Sequence, residues 1–288
     1  MTKLTLAGLA ILICGTLVAA ACAPVRAFDT MMPKDSQSRR IAADIAYGDG
    51  PRRRLDVYAP VRANKGPLPV IIFIYGGSWA NGMREGYGFA ARALAAGGFI
   101  TIVPDYRLVP EVYFPGFVED CAAAVRWARA HAKDYGGDPD RIVLVGHSAG
   151  AYNAAMLALD PEFLGGDRAA IKGFAGLAGP YDFLPLDGAI STTTFGRWPR
   201  PEETQPIHYA DASAPPMLLL HGQEDDTVWP KNSINLDRKL RSVGVPSQLK
   251  IYPDLGHVGI VTALAKPFRG KAPVLADITA FAHRVTGS

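Results

Sequence analysis

Ser148 stands at the centre of Gly146-His147-Ser148-Ala149-Gly150, after the apolar run Ile142 to Val145 and before the small-residue run Ala149 to Leu159. That succession reads as a strand, a sharp turn and a helix, and it presents the serine hydroxyl at the carboxyl end of a sheet in a strained conformation. Glycine is needed on both sides because a side chain there would collide with the neighbouring strand and helix. A lone serine is a poor nucleophile and needs a base oriented by an acid. Both follow along the chain. Asp225 lies in His221-Gly222-Gln223-Glu224-Asp225-Asp226, after the apolar run Met217 to Leu220, and His257 follows the next such run in Ile251-Tyr252-Pro253-Asp254-Leu255-Gly256-His257. Each of the three sits just beyond a different expected strand, so three loops converge on one sheet edge. The expected roles are nucleophile for Ser148, base for His257 and orienting acid for Asp225. Spacing from Gly222 favours Asp225 over the adjacent Asp226.

Acyl-transfer chemistry also needs donors for a tetrahedral oxyanion. Ala149 offers one backbone amide, and Gly76 and Gly77 in Tyr75-Gly76-Gly77-Ser78-Trp79, after the run Val70 to Ile74, offer the others. Trp79, His147 and Trp198 are the candidate substrate contacts. His221 is expected to pack beneath the acid loop, while His131 and His283 fall in helical segments. His208 lies in a cap-like segment. The alternative for the elbow is a glycine-rich β-to-α turn whose serine caps the helix.

The elements that must position these residues read as an α/β pattern. Ile41 to Tyr47 and Arg53 to Tyr58 flank the turn signal Gly48-Asp49-Gly50-Pro51 and predict an antiparallel hairpin. Short apolar runs follow at Val70 to Ile74, Phe99 to Val103, Arg141 to Val145, Gly173 to Leu177, Met217 to Leu220 and Gln248 to Tyr252. Helix-length segments separate them, at Phe89 to Ala96, Phe117 to Asp134, Ser148 to Leu159, Asn232 to Val243 and Ala272 to Val285. Near-continuous apolar strands alternating with helices imply a mostly parallel twisted sheet with helices on both faces. Pro180 to Pro216 breaks the alternation with proline, threonine and aromatics, and reads as a short cap insertion over the carboxyl edge of the sheet.

A chain of 288 residues that is 49% hydrophobic and 20% charged fills one large globular domain. The net charge of +3 comes from mixed signs; the densest basic cluster, Arg52-Arg53-Arg54, reads as a solvated turn and makes no case for nucleic acid. Residues 1–22 read as an export signal: Leu4 to Ala21 is almost uninterruptedly apolar and ends in Ala19-Ala20-Ala21-Cys22. Small residues before a cysteine resemble a bacterial lipoprotein cleavage site, with lipidation at Cys22, although Ala19 stands where those signals usually carry a larger aliphatic. Cleavage within the alanines and an uncleaved membrane span are the alternatives; all three place the body outside the cytoplasm, with a lipid anchor as the membrane link in the first. Residues 23–40 read as a tether and 41–288 as the domain. Cys121, the cysteine left inside the domain, reads as a small buried residue. No further cluster of His, Cys or carboxylates shows ligand spacing, so no metal or other cofactor is expected.

From about Leu55 to Val285 the chain resembles α/β-hydrolases of the carboxylesterase type, in the bacterial branch that contains feruloyl-esterase-like and kynurenine-formamidase-like enzymes. The resemblance rests on Tyr75-Gly76-Gly77-Ser78-Trp79, Pro104-Asp105-Tyr106-Arg107 with Pro110-Glu111, Gly136-Gly137-Asp138-Pro139-Asp140-Arg141, the Ser148 pentapeptide, the Asp225 loop and His257. Tyr75 replaces the family's usual histidine, and Ser78 the third glycine of its oxyanion loop. The resemblance implies an α/β-hydrolase fold and cleavage of a small-molecule carboxylic ester through an acyl-enzyme, with a structural role for Asp105-Tyr106-Arg107. Hydrolysis of an aryl formamide is the second implied activity. A catalytically silent hydrolase fold serving as a binding module is the reading of another class; such modules often lack a triad member, and here none is missing.

Overall fold

A computed structural model describes residues 24–62 and 66–288; the export-signal and Cys22 expectations fall outside the described residues. After a helix α1 over residues 24–31 come β1 (Ser38–Ala46), β2 (Arg54–Pro60), β3 (Leu68–Ile74), α2 (Gly88–Ala96), β4 (Ile100–Pro104), α3 (Gly116–His131), β5 (Gly137–His147), α4 (Ala149–Leu159) and α5 (Pro161–Leu164). The chain continues with β6 (Ile171–Leu177), α6 (Ala189–Phe195), β7 (Met217–Gly222), α7 (Lys231–Ser242), β8 (Ser247–Tyr252), α8 (His257–Thr262) and α9 (Val274–Thr286).

The eight strands form one sheet in the order β1-β2-β4-β3-β5-β6-β7-β8. β1 and β2 pair antiparallel, as does β2 with β4, and every later pairing is parallel. The central strands carry no polar face: Val70 to Ile74 and Ile142 to Val145 are fully buried, because helices cover both sides. α3 packs on α4 on one face and α2 on α9 on the other. β3 leads left to β4, whereas β5 leads right to β6. Right-handed crossovers in opposite directions open a crevice at the carboxyl ends of β3 and β5, where ligands bind in open α/β sheets. The Gly76-Gly77 loop and Ser148 follow those two strands.

Two expectations are corrected. Of the stretch 23–40 expected as a tether, the described residues 24–40 are packed on the domain. Phe28 of α1 meets Phe89 edge-on at 5.2 Å, Asp29 accepts the Phe89 amide at 2.6 Å, and Asp35 pairs with Arg269 at 2.5 Å. The apolar residues of α1 are too few for a periodic signal, and their partners lie far along the chain. The arginines at the hairpin turn are also not a solvated cluster. Arg53 pairs with the fully buried Asp120 at 2.9 Å, and Arg52 donates to Tyr75 Oη at 3.0 Å and to the Gly82 and Tyr106 carbonyls.

The 180–216 insertion folds as α6 with two short 3-10 turns, and its aromatics point inward. Phe195 is fully buried against Trp79, Phe114, Phe117, Tyr152 and Phe183. Trp79 follows β3 and Tyr152 opens α4, so the insertion sits on the carboxyl edge of the sheet beside the elbow.

Candidate active site

Ser148 sits between β5 and α4 with φ +54° and ψ −124°, a conformation that L-residues rarely adopt. Close packing enforces it. A Cβ on Gly146 would stand 2.4 Å from the Gly150 carbonyl oxygen, and one on Gly150 would stand 2.1 Å from that of Ile74. The elbow can therefore form only where both positions lack side chains.

The structure brings Ser148, His257 and Asp225 into one hydrogen-bonded chain. His257 Nε2 lies 2.8 Å from Ser148 Oγ, and its Nδ1 lies 2.8 Å from Asp225 Oδ2. A carboxylate can only accept, so Nδ1 carries the proton and Nε2 presents its lone pair to the serine hydroxyl. Asp226 is exposed and meets only Thr227 among its described side-chain partners, so the geometry selects Asp225 over its neighbour. Burial would raise the Asp225 carboxyl, but hydrogen bonds from His221, His257 and the Val228 amide outweigh it and hold it well below the usual carboxylate range.

The acid has a partner whose contact the sequence pattern did not reveal. His221 is fully buried, its Nε2 2.7 Å from the Val228 carbonyl and 3.2 Å from Asp225 Oδ2, while Nδ1 meets Ser233 Oγ at 2.8 Å. With a carbonyl and a carboxylate both facing Nε2, that nitrogen is the donor and Nδ1 accepts from Ser233. The signal was a histidine four residues before the acid at a strand end, which by itself indicates packing as readily as support.

Beside the serine, the loop after β3 makes the closest approach. A Cβ on Gly76 would stand 2.8 Å from Ser148 Cβ, and Gly77 has φ +140° with the Asn81 carbonyl 2.2 Å from its would-be Cβ. The loop is held from behind: Tyr75 Oη donates to Asp105 Oδ1 at 2.7 Å, and Tyr106 Oη donates to the Tyr75 carbonyl at 2.9 Å. Asp105 also pairs with Arg84, and Arg107 with Asp120 at 2.7 Å, so the Asp105-Tyr106-Arg107 stretch acts as scaffold.

The three expected substrate contacts are placed differently. Trp79 is buried, with its ring in the Phe195 cluster and Nε1 donating to Asn153 Oδ1 at 3.0 Å. Trp198 donates to Glu203 at 3.0 Å and lines a cavity of about 650 Å³ with Phe114, Asp160 and Tyr209, a lining that includes none of Ser148, Asp225 and His257. His147 is buried behind the serine, its Nε2 3.0 Å from the His257 carbonyl oxygen. Cys121 is a free, buried thiol in α3. Among the described residues, no group of three or more His, Cys, Asp or Glu side chains is placed to hold a metal ion.

A trench of about 300 Å³ borders the acid loop, lined by Phe183, Leu184, Pro185, Val228 and Trp229 among others. The amides of Thr227 and Val228 on its wall donate to Asp225 Oδ1 at 3.0 and 2.8 Å. One carboxylate thus joins the trench wall to His257.

Comparison with known proteins agrees with this architecture. Esterase LipC of Mycobacterium tuberculosis is 31% identical over 221 residues, covering 69% of this chain and 55% of LipC. Isoprenylcysteine alpha-carbonyl methylesterase ICME of Arabidopsis thaliana is 30% identical over 273 residues, covering 85% of this chain and 63% of that protein. The chain spans less than two thirds of either relative. Esterase B from Lactobacillus rhamnosis superposes with a TM-score of 0.80 at 20% identity over 96% of this chain and 95% of its own, which establishes the shared fold. The pattern of the BD-FAE family matches residues 55–240, more than half of the sequence, and the chain therefore belongs to that α/β-hydrolase-type family.

Proposed function

We propose that this protein hydrolyses carboxylic esters of small molecules by a Ser148–His257–Asp225 triad and an acyl-enzyme intermediate. The observation that carries the reading is the His257 imidazole set between Ser148 Oγ and Asp225 Oδ2 at 2.8 Å from each. Both named relatives above are esterases, which supports the reaction class.

Ser148 Oγ attacks the acyl carbon while its proton passes to His257 Nε2, and the carbonyl oxygen becomes an oxyanion. The Ala149 amide, with amides of the Gly76-Gly77 loop, receives that charge; such donors contribute about 3 to 4 kcal/mol each to the transition state. Collapse expels the alcohol, which leaves with the proton from His257. Water then attacks the acyl-enzyme, giving its proton to the same Nε2, and the acid departs as Ser148 Oγ recovers the proton. Asp225 keeps the imidazole in the productive tautomer and stabilises it when charged.

The trench beside the acid loop includes no triad side chain in its lining but adjoins Asp225 through the Thr227 and Val228 amides; it fits the apolar portion of such an ester, and Leu184 and Trp229 leave apolar side chains exposed on it. The test is turnover of an ester series by the wild type and Ser148→Ala: activity that falls by several orders of magnitude supports the reading, and unchanged activity rejects it.

Export accompanies this function. The apolar stretch Leu4 to Ala21 followed by Cys22 supports delivery outside the cytoplasm, with Cys22 as the site of lipid attachment. Mass analysis of the native protein tests it; a diacylglyceryl adduct on Cys22 is the expected result, and an intact Met1 terminus in the cytosolic fraction contradicts it.

A further inference from the structure

We infer that His147 is a positioning residue: its Nε2–H fixes the first turn of α8, and thereby the imidazole of His257, in register with Ser148. The inference rests on the triad proposed above and concerns how its geometry is maintained.

His257 is the first residue of a helix of six residues, and Gly256 at its N-cap supplies no capping side chain. A helix this short has little stability of its own, and helix ends fray. The buried side chains of Leu255, Ile260 and Val261 hold α8 to the body, and the Glu224 amide donates to the Leu255 carbonyl at 3.1 Å just before it, but a hydrogen bond from outside the helix must reach the His257 backbone itself to fix where that first unit points. The contact that does so comes from the elbow. His147 Nε2 lies 3.0 Å from the carbonyl oxygen of His257, with the two rings 5.0 Å apart and inclined at 40°. The residue bonded to the nucleophile thus holds the backbone of the base, and the Ser148–His257 side-chain contact closes a ring of two short links between chain segments more than a hundred residues apart.

The chemistry of His147 suits that role and no other in the site. A carbonyl can only accept, so Nε2 carries the proton and Nδ1 is the bare nitrogen. Nδ1 is buried with no hydrogen-bond partner among the described residues and faces the glycine loop, where a Cβ on Gly76 would stand 3.0 Å from it. Burial, first, and the neighbouring His257 pull the imidazole down to about 3, so the ring stays neutral and does not act as a second base. Its solvent-shielded position also removes it from substrate contact.

The test compares His147→Ala with His147→Gln, because a glutamine amide reaches where Nε2 stands and keeps the donor, whereas alanine does not. Ester turnover and hydrogen exchange of the 257–262 segment are read on the full chain. The expected result for alanine is a fall in kcat of about 10- to 100-fold with KM changed less than about threefold, since displacements near 1 Å carry costs of that order. Amide exchange in α8 rises in the same variant. Glutamine restores most of kcat and the α8 protection. Equal loss in both variants, or an alanine variant with wild-type kcat and unchanged α8 exchange, overturns the inference. If α8 protection follows the donor while the wild type turns over no ester, the positioning role stands and the ester-hydrolase reading is the one that fails.

Discussion

Tyr75 Oη donates to Asp105 Oδ1 at 2.7 Å, which ties the loop beside Ser148 to the end of β4. This bond shows what Tyr75 does at the head of that loop. The phenol is fully buried, stacked on Tyr106 at 5.0 Å and on Tyr87 at 5.3 Å, and it also accepts from Arg52 at 3.0 Å. The loop's support is therefore a polar network behind it, not a side chain reaching into the site.

Tyr75→Phe keeps the stack and removes the hydroxyl, leaving Asp105 and Arg52 each short of a partner. Unsatisfied buried groups cost about 1 to 3 kcal/mol, so urea unfolding should show a loss in that range with an unchanged m-value. Stability equal to wild type would mean that the network does not brace the loop.

Gly150→Ala should be far worse than its small size suggests. The new Cβ would stand 2.1 Å from the Ile74 carbonyl oxygen and 2.4 Å from that of Tyr75, and both are backbone atoms of a central strand end. Overpacking at an inflexible site should cost about 3 kcal/mol or more, read as a lowered urea midpoint. Ser148→Ala, at a position that already has a Cβ, should unfold near the wild-type midpoint.

Asp225→Asn and Asp226→Asn separate the two acids. The first leaves an amide that can donate to His257 Nδ1 and favour the wrong tautomer; a loss of kcat on the order of 10⁴-fold is expected. The second alters an exposed side chain and should leave kcat within about threefold. Matching effects of the two substitutions, measured on one ester, would contradict the assignment.

Trp229 is exposed on the trench wall. Trp229→Ala should raise KM about 10-fold for esters with a long or aromatic apolar group and leave acetate esters of small alcohols nearly unchanged, as one apolar contact is worth about 1 to 3 kcal/mol. Identical shifts across the series would remove the trench from substrate recognition.

Acid stability follows from two groups. The folded chain keeps His147 neutral down to about 3, against an ordinary value of 6.5, so the unfolded chain binds the extra proton between these limits. Stability is therefore complete above about 6.5 and falls as pH decreases toward 3, by at most about 1.4 kcal/mol per pH unit for this one group. Asp225, held below the ordinary carboxylate range, adds a second decline as pH drops below about 4, where the unfolded carboxyl takes its proton. Urea titrations of His147→Gln between pH 6.5 and 4 should show a shallower slope than the wild type; parallel slopes would contradict the buried neutral imidazole.

The features that local chemistry dictates were legible in the sequence. Gly146 and Gly150 announce close approach, the apolar runs announce buried parallel strands, and a Ser, Asp, His order with one residue past each strand end announces convergence. What escaped depends on partners distant in the chain. Arg52 and Arg53 look like a solvated turn until Tyr75 and Asp120 are brought to them. His147 and Trp198 carry polar groups that a site could use, but His257 and Glu203 satisfy one donor of each instead. α1 and α8 are too short for periodicity, and tertiary contacts decide both.

The most direct measurement is the intact mass of the purified domain after exposure to a fluorophosphonate probe, with Ser148→Ala alongside. A single adduct that maps to Ser148 and vanishes in the variant is the predicted result, since a serine bonded to a correctly oriented imidazole attacks phosphorus as it would an acyl carbon. A folded wild-type protein that takes no adduct, or takes one elsewhere, would contradict an activated nucleophile at position 148.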